Sequence, residues 1–421
     1  MVRRTVLDNG VRLLSEDVPG MASVTVGIWV ENGSRDEDAR ENGISHFLEH
    51  LFFKGTARRS AAHIAEEIDA VGGVLDAFTG KEYTCYYARV LVEHLPLALD
   101  LLLDVFLHSR FAEEEIQRER SVISQEIAQV EDTPDDLIHD LFHLDFWPGH
   151  PLSWPISGTA QTISQLQRSD FLRFLDRRYR PDRIFVAMAG GACHEELVDL
   201  VGPALSSLAG KAVTTTVPPP IARSGIYPHE RDLEQTHLCL GLPCVSQLDP
   251  EWYAAYLLHT ALGGGMSSRL FQEIRERRGL VYDVTSFLST YCDAGYLGVY
   301  AATSAASVPE VLEITGTTLR QIAQEGISAD ELRRAKGHAK GGLLLGLETS
   351  EARMSRLARC EVHFQRDIPI AEVAEHIEHV TLEDVHTLAA RCFTGDGRAL
   401  TILGELPPVS DYRVLLGIGY R

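Results

Sequence analysis

The residues best equipped for chemistry are His46-Phe47-Leu48-Glu49-His50. At about 100° per residue, positions 46 and 50 of a helix share one face, so both imidazoles can reach a single ion. Glu49 lies on that side too, close to such an ion but beside His50. A carboxylate placed there can take a proton from a water held at the ion and pass it to a leaving amine. The order is the reverse of His-Glu-x-x-His. Two surface histidines beside a solvated glutamate would be the plain alternative. Against it, Phe47, Leu48, Leu51, Phe52 and Phe53 make this stretch strongly apolar. Polar groups held on such a helix are costly unless something satisfies them.

Zinc bound by two histidines needs a third protein ligand and one open position. An acid-rich helical pattern at 112–130 offers Glu113, Glu114, Glu115, Glu119 and Glu126, with Glu131 at its end. Glu119 and Glu126 lie two turns apart on one face, separated by about 10.5 Å. One could bind metal while the other stands behind it, but both cannot easily be ligands. Spacing alone does not choose between them.

These side chains must be positioned by a folded frame, and the chain reads as the same series of elements twice. A β-rich run at 23–30 precedes a helix at 43–53 and a second helix pattern at 61–71. After Gly72-Gly73 come a strand pair over 74–90, an apolar helix at 95–107 and the acidic helix. The second half gives a strand at 236–242, helices at 251–262 and 267–277, and a break at Gly279. Strands over 280–303, a helix at 308–324 and a charged helix from 329 to about 346 follow. Between the halves, the stretch AGKAVTTTVPPPIARSG contains three consecutive prolines, which force an extended path and supply no backbone donors. The expected organisation is a domain at 1–210, a linker at 211–225, and a second domain of the same fold, without a metal motif, at 226–421. Strands and helices without a regular βαβ alternation predict the α+β class. Each domain is expected to be an α/β sandwich, a largely antiparallel sheet packed with helices, the two related by internal duplication.

Composition narrows the function classes. A chain of 421 residues is too long for one compact core, and 45% hydrophobic residues argue against extensive disorder. Sixty acidic against 39 basic residues give a formal charge of -21, which repels phosphate backbones and anionic lipid. Nucleic acid and membrane are therefore not expected partners, and much of this acidity serves solubility. The start, MVRRTVLDNGVRLL, lacks an apolar core leading to a small-residue cleavage site, so no leader is expected. The apolar run at 95–107 is interrupted by Asp100 and Asp104 and falls short of a bilayer span. Seven scattered cysteines without a Cys-x-x-Cys pair favour reduced thiols and a cytoplasmic location.

Three segments carry a family resemblance: ENGISHFLEHLFFKGTARRS, GGVLDAFTGKEYTCYYARV and RERSVISQEI. They resemble the active half of the pitrilysin, insulinase and mitochondrial processing peptidase family of inverzincin metallopeptidases, in its short two-domain form. The resemblance implies one zinc ion per chain, held by His46, His50 and Glu126, with Glu49 as general base and then proton donor. It places Glu119 among the residues important for activity but off the metal. GGGMSSRLFQEIRERRGLVYDVTS is similar to the family's C-terminal segment, implying that Arg269 and Tyr282 bind substrate backbone. The run Gly263–Gly265 lacks the Gly-Lys-Ser/Thr ending of a phosphate cradle and resembles a short glycine-rich loop of the family's noncatalytic subunit.

The family strand that faces substrate often reads Asn-Ala-x-Thr, whereas this chain has Asp76-Ala77-Phe78-Thr79. Capture of a peptide as an added strand uses main-chain groups and survives that change. A hydrogen bond needing an amide donor at position 76 does not. Larger relatives place four such domains around a closed chamber. Two domains imply that a second subunit completes it, most simply a homodimer, and a chamber favours peptides or unfolded segments as substrates. The expectation is a zinc metalloendopeptidase. Its alternatives are a noncatalytic assembly subunit of the same fold and a zinc hydrolase of non-peptide substrates.

Overall fold

The run Ser-Val-Thr-Val-Gly-Ile-Trp-Val at Ser23–Val30 is apolar almost without alternation, as suits a strand covered on both faces, and seven of its eight residues are buried. The computed structural model, which describes residues 2–211 and 217–406, makes it the strand β3 at the heart of a six-stranded sheet. Its companions are β1 (Val2–Val6), β2 (Arg12–Asp17), β4 (Val74–Thr79), β5 (Thr84–Leu91) and β6 (Ile184–Gly190). Their order across the sheet is β1-β2-β6-β3-β5-β4. The expected strand pair at 74–90 is β4 and β5, joined by a turn in which Gly80 N–H donates to Tyr83 O at 2.8 Å.

A second sheet is built from β7 (Gly225–His229), β8 (Thr236–Cys244), β9 (Val281–Thr290), β10 (Gly295–Thr303) and β11 (Ala399–Leu403), in the order β7-β11-β8-β10-β9. Set beside β2-β6-β3-β5-β4, this is the same chain path. The pairs β2–β6 and β7–β11 are parallel, and the other matching neighbours are antiparallel. The first sheet adds only the edge strand β1, antiparallel to β2. The fold is α+β, two homologous sandwiches with largely antiparallel sheets.

Among the expected helices, 267–277 differs most. Its centre, Phe271–Glu276, is wound as a π-helix. Residues 217–224 of the expected linker carry neither helix nor strand, and 212–216 lie outside the described residues.

The chain forms two compact units that are not continuous in sequence. Of the described residues, one comprises 2–129, 154–211, 217 and 345–367, and the other 130–153, 218–344 and 368–406. The reason lies in the sheets. Strands apolar on both faces need a helical layer on each. In the first unit one layer is formed by the helix Ile44–Phe52, packed on β4 and β5, and the helix Leu95–His108, packed on β5 and β3. The opposite face is closed by Ser350–Phe364, late in the sequence, whose Met354, Leu357 and Ala358 meet Trp29, Cys85 and Phe185. In the second unit the corresponding cover is Pro134–Phe146, from early in the sequence. Its Phe142 ring lies over Gly241 of β8, where any β-carbon would collide with it. Among the described residues no helix is long and apolar enough to cross a membrane.

Candidate metal centre

The helix carrying His46, Glu49 and His50 runs from Ile44 to Phe52. Its apolar face, Ile44, Phe47, Leu48, Leu51 and Phe52, is buried, with Phe47 edge-on to Phe171 and Phe52 edge-on to Tyr86. The entry to this helix is tightly made. Gly43 sits at φ +95°, and a β-carbon there would lie 2.7 Å from Ile163 Cδ1 and 2.8 Å from both Gly158 Cα and Ser157 O. The buried carboxylate of Glu37 accepts from the backbone N–H groups of Gly43 (2.8 Å) and Ser45 (2.9 Å) and from Asn42 Nδ2 (3.1 Å). It therefore satisfies donors that a helix N-terminus leaves unpaired, where negative charge is also favoured. Burial nevertheless dominates and pushes Glu37 up to about 7, with the backbone bonds opposing it.

With the apolar face fixed inward, His46 and His50 turn together toward the acidic helix Glu113–Asp132. Their rings lie 4.8 Å apart at 74°. Glu126 Oε2 stands 3.7 Å from His46 Nε2 and 3.5 Å from His50 Nε2, and the three ligand atoms lie within 4.8 Å of one another. Donors about 2.0–2.1 Å from one tetrahedral zinc are separated by roughly 3.3 Å, so the spacing and the two-imidazole, one-carboxylate set suit that ion. Burial, with His50 adding to it, pushes His46 down to about 4, leaving a neutral imidazole able to ligate. No other such trio of His, Cys, Asp and Glu occurs among the described residues.

The two glutamates that spacing left open are placed differently. Glu119 is 5% exposed and lies behind His50, its Oε2 3.1 Å from His50 Nδ1 and its Oε1 2.9 Å from Lys54 Nζ. A carboxylate only accepts, so the contact with Glu119 calls for a hydrogen on Nδ1, and Nε2 is the nitrogen turned toward Glu126, where a metal would sit. On the other side Glu49 Oε2 accepts from Thr79 Oγ1 at 2.6 Å. Burial pushes the Glu49 carboxyl up, opposed by the Thr79 bond and by His50, and reinforced by Asp76 and Glu126.

The four strand residues lie on β4, the outermost strand of its sheet. Asp76 is exposed, and its Oδ1 accepts from Ala77 N–H at 2.8 Å, a bond that an edge strand leaves room for. Phe78 is edge-on to Trp29 at 5.4 Å. In the second unit, Arg269 is gripped by Glu331, with Nε at 2.6 Å and Nη2 at 2.9 Å, and Nη2 also donates to Gly326 O. It borders a polar groove of about 690 Å³. Tyr282 on β9 is 81% exposed, and the Arg275 guanidinium lies 5.2 Å from its ring.

Two residues of the site escape a reading of the sequence. Glu37 sits in a run of acids that reads as solvated surface. Lys54 could have been found, since it lies four residues beyond His50.

Comparison with known proteins extends the picture. The model of "Insulinase (Peptidase family M16)" matches residues 12–160, and that of "Peptidase M16 inactive domain" matches residues 165–337. An uncharacterized zinc protease of Mycobacterium tuberculosis is 44% identical over 92% of this chain and 90% of its own. One from Bacillus subtilis is 40% identical over 94% of this chain and 97% of its own. Among solved structures, a peptidase M16 inactive domain from Pseudomonas fluorescens superposes with a TM-score of 0.88 at 19% identity, covering 98% of this chain and 99% of that one. A protease from Helicobacter pylori gives 0.87 at 21% identity, over 96% and 99%. At those identities the two structures speak for the fold alone.

Proposed function

The chain belongs to the insulinase family, peptidase family M16, and from that premise we propose that it is a zinc-dependent endopeptidase acting on peptides or unfolded segments. The reading is carried by one observation, the convergence of His46, His50 and Glu126 within 4.8 Å with the Glu49 carboxylate beside them. These three would hold the metal, one ion per chain, which when bound polarises a water and the scissile carbonyl. Glu49 takes the proton of the attacking water and delivers it to the leaving amine. Its raised affinity for protons, caused by burial, suits a group that must both accept and return one. Thr79 holds that carboxylate in place, and Glu119 fixes His50 from behind.

The substrate adds as an extended strand at the edge offered by β4, along Asp76–Thr79, with its main chain as the recognised element. Arg269 and Tyr282 are proposed to hold its carbonyls, which requires Arg269 to exchange part of its grip on Glu331 for the peptide. A homodimer working in the cytoplasm is the assembly this reading favours.

The test pairs zinc analysis of the purified protein with cleavage of a quenched peptide by wild type and Glu49→Gln. Wild type should carry zinc and cut, while the variant should carry zinc and not cut. Zinc without cleavage by wild type would mean a hydrolase of some other bond, and neither would mean a noncatalytic assembly subunit.

A further inference from the structure

We propose that Lys54 is a positioning residue of the metal centre, setting through Glu119 which nitrogen of His50 faces the ion. The inference rests on the metal site proposed above and goes beyond it. Lys54 follows the end of the motif helix, its N–H donating to Leu51 O at 3.1 Å, so its ammonium has a fixed point of departure. That ammonium takes Oε1 of Glu119 at 2.9 Å, leaving Oε2 to accept from His50 Nδ1 at 3.1 Å. Glu119 is almost fully buried, so water cannot easily replace either partner. Lys54 keeps about a third of its side chain exposed, which lets the charge stay partly solvated.

A carboxylate has two equivalent oxygens and serves both donors. An amide in its place does not. With glutamine at 119 the single oxygen goes to the stronger, charged donor, Lys54, and the amide NH₂ turns to His50. His50 must then accept at Nδ1 and carry its hydrogen on Nε2, the atom that should offer its lone pair to the metal. Removing the lysine charge frees the amide oxygen to turn back to His50. The two positions are therefore coupled with a definite sign, and a lysine that merely packed would not produce that sign.

The experiment measures zinc affinity by competition with a chromophoric chelator, for wild type, Lys54→Met, Glu119→Gln and the double variant, with folding checked by circular dichroism. Lys54→Met should weaken zinc about tenfold and Glu119→Gln by about 10–100-fold, as changes behind a ligating histidine do. The double variant should bind zinc more tightly than Glu119→Gln alone, and Lys54→Arg should restore most of the affinity lost in Lys54→Met. A double variant as weak as or weaker than Glu119→Gln overturns the proposal, as does unchanged affinity in Lys54→Met. Failure of wild type itself to bind zinc would instead remove the metal site on which the inference rests, and the chelator titration tells the two apart.

Discussion

Valine at position 79 keeps the β-branched shape that a strand favours and deletes one hydroxyl donor. That hydroxyl donates a 2.6 Å hydrogen bond to Glu49 Oε2, not to His46, His50 or Glu126, the three residues proposed to hold the metal. A hydrogen bond to a charged acceptor is worth about 1.5–3 kcal/mol. If Glu49 must hold that position while it moves the proton, the whole of this falls on the barrier, or about 10–150-fold in kcat. Zinc content and KM should stay close to wild type, because neither the proposed ligands nor the main chain of β4 loses a group. Thr79→Ser keeps the hydroxyl and should recover most of the rate. The assay is steady-state cleavage of a quenched peptide, with zinc measured on the same preparations by mass spectrometry. Wild-type kcat in a fully zinc-loaded Thr79→Val protein would show that this hydroxyl does not hold Glu49 for the proton transfer. Loss of zinc in step with rate would count against that role too, by showing that Thr79 supports the metal instead of the base.

Glu126→Gln should lose most of its zinc, whereas Glu49→Gln should retain it and lose cleavage; equal zinc in the two variants would contradict the assignment of roles. Gly43→Ala forces a left-handed backbone on a residue with a β-carbon, costing about 1–2 kcal/mol, and drives that carbon against Gly158 and Ser157. Thermal denaturation should show a clear fall in Tm, and an unchanged Tm would mean that the helix entry tolerates the shift. Glu37 has its folded pKa raised to about 7 from an ordinary 4.5. Its contribution to stability is therefore fully present below pH 4.5 and is lost as pH rises through 7, a span of about 3 kcal/mol at most. In zinc-free protein, Glu37→Gln should remove that fall between pH 5 and pH 8 in urea denaturation. Parallel wild-type and variant curves would contradict it.

Much of this was legible in the sequence because the signals are local. The motif helix, the strand pair after Gly72-Gly73 and the acidic helix each carry their own periodicity, and the repeated order exposes the duplication. What was not legible is carried by long-range packing. Nothing in Pro134–Phe146 says which sheet it covers, since its apolar face fits any exposed sheet. Its partner is decided by Gly241 admitting Phe142 and by the match with Tyr296 and Leu403. The same holds for Ser350–Phe364, placed by Met354 against Trp29. Within the site, helical periodicity puts Glu119 and Glu126 on one face and only the family resemblance separates them in the sequence; in the fold their surroundings differ, since one meets Lys54 and a ring Nδ1 and the other meets both Nε2 atoms. The backbone turn that brings Glu37 under Gly43 has no sequence signature at all.

In the proposed site a single divalent ion is shared by the motif helix and the acidic helix. Anomalous diffraction at the zinc edge, from crystals grown with one equivalent of zinc, tests this directly. One strong peak per chain is expected, about 2.0–2.2 Å from His46 Nε2, His50 Nε2 and a Glu126 oxygen. A peak elsewhere, or none at those three atoms in fully loaded protein, would contradict the proposed site.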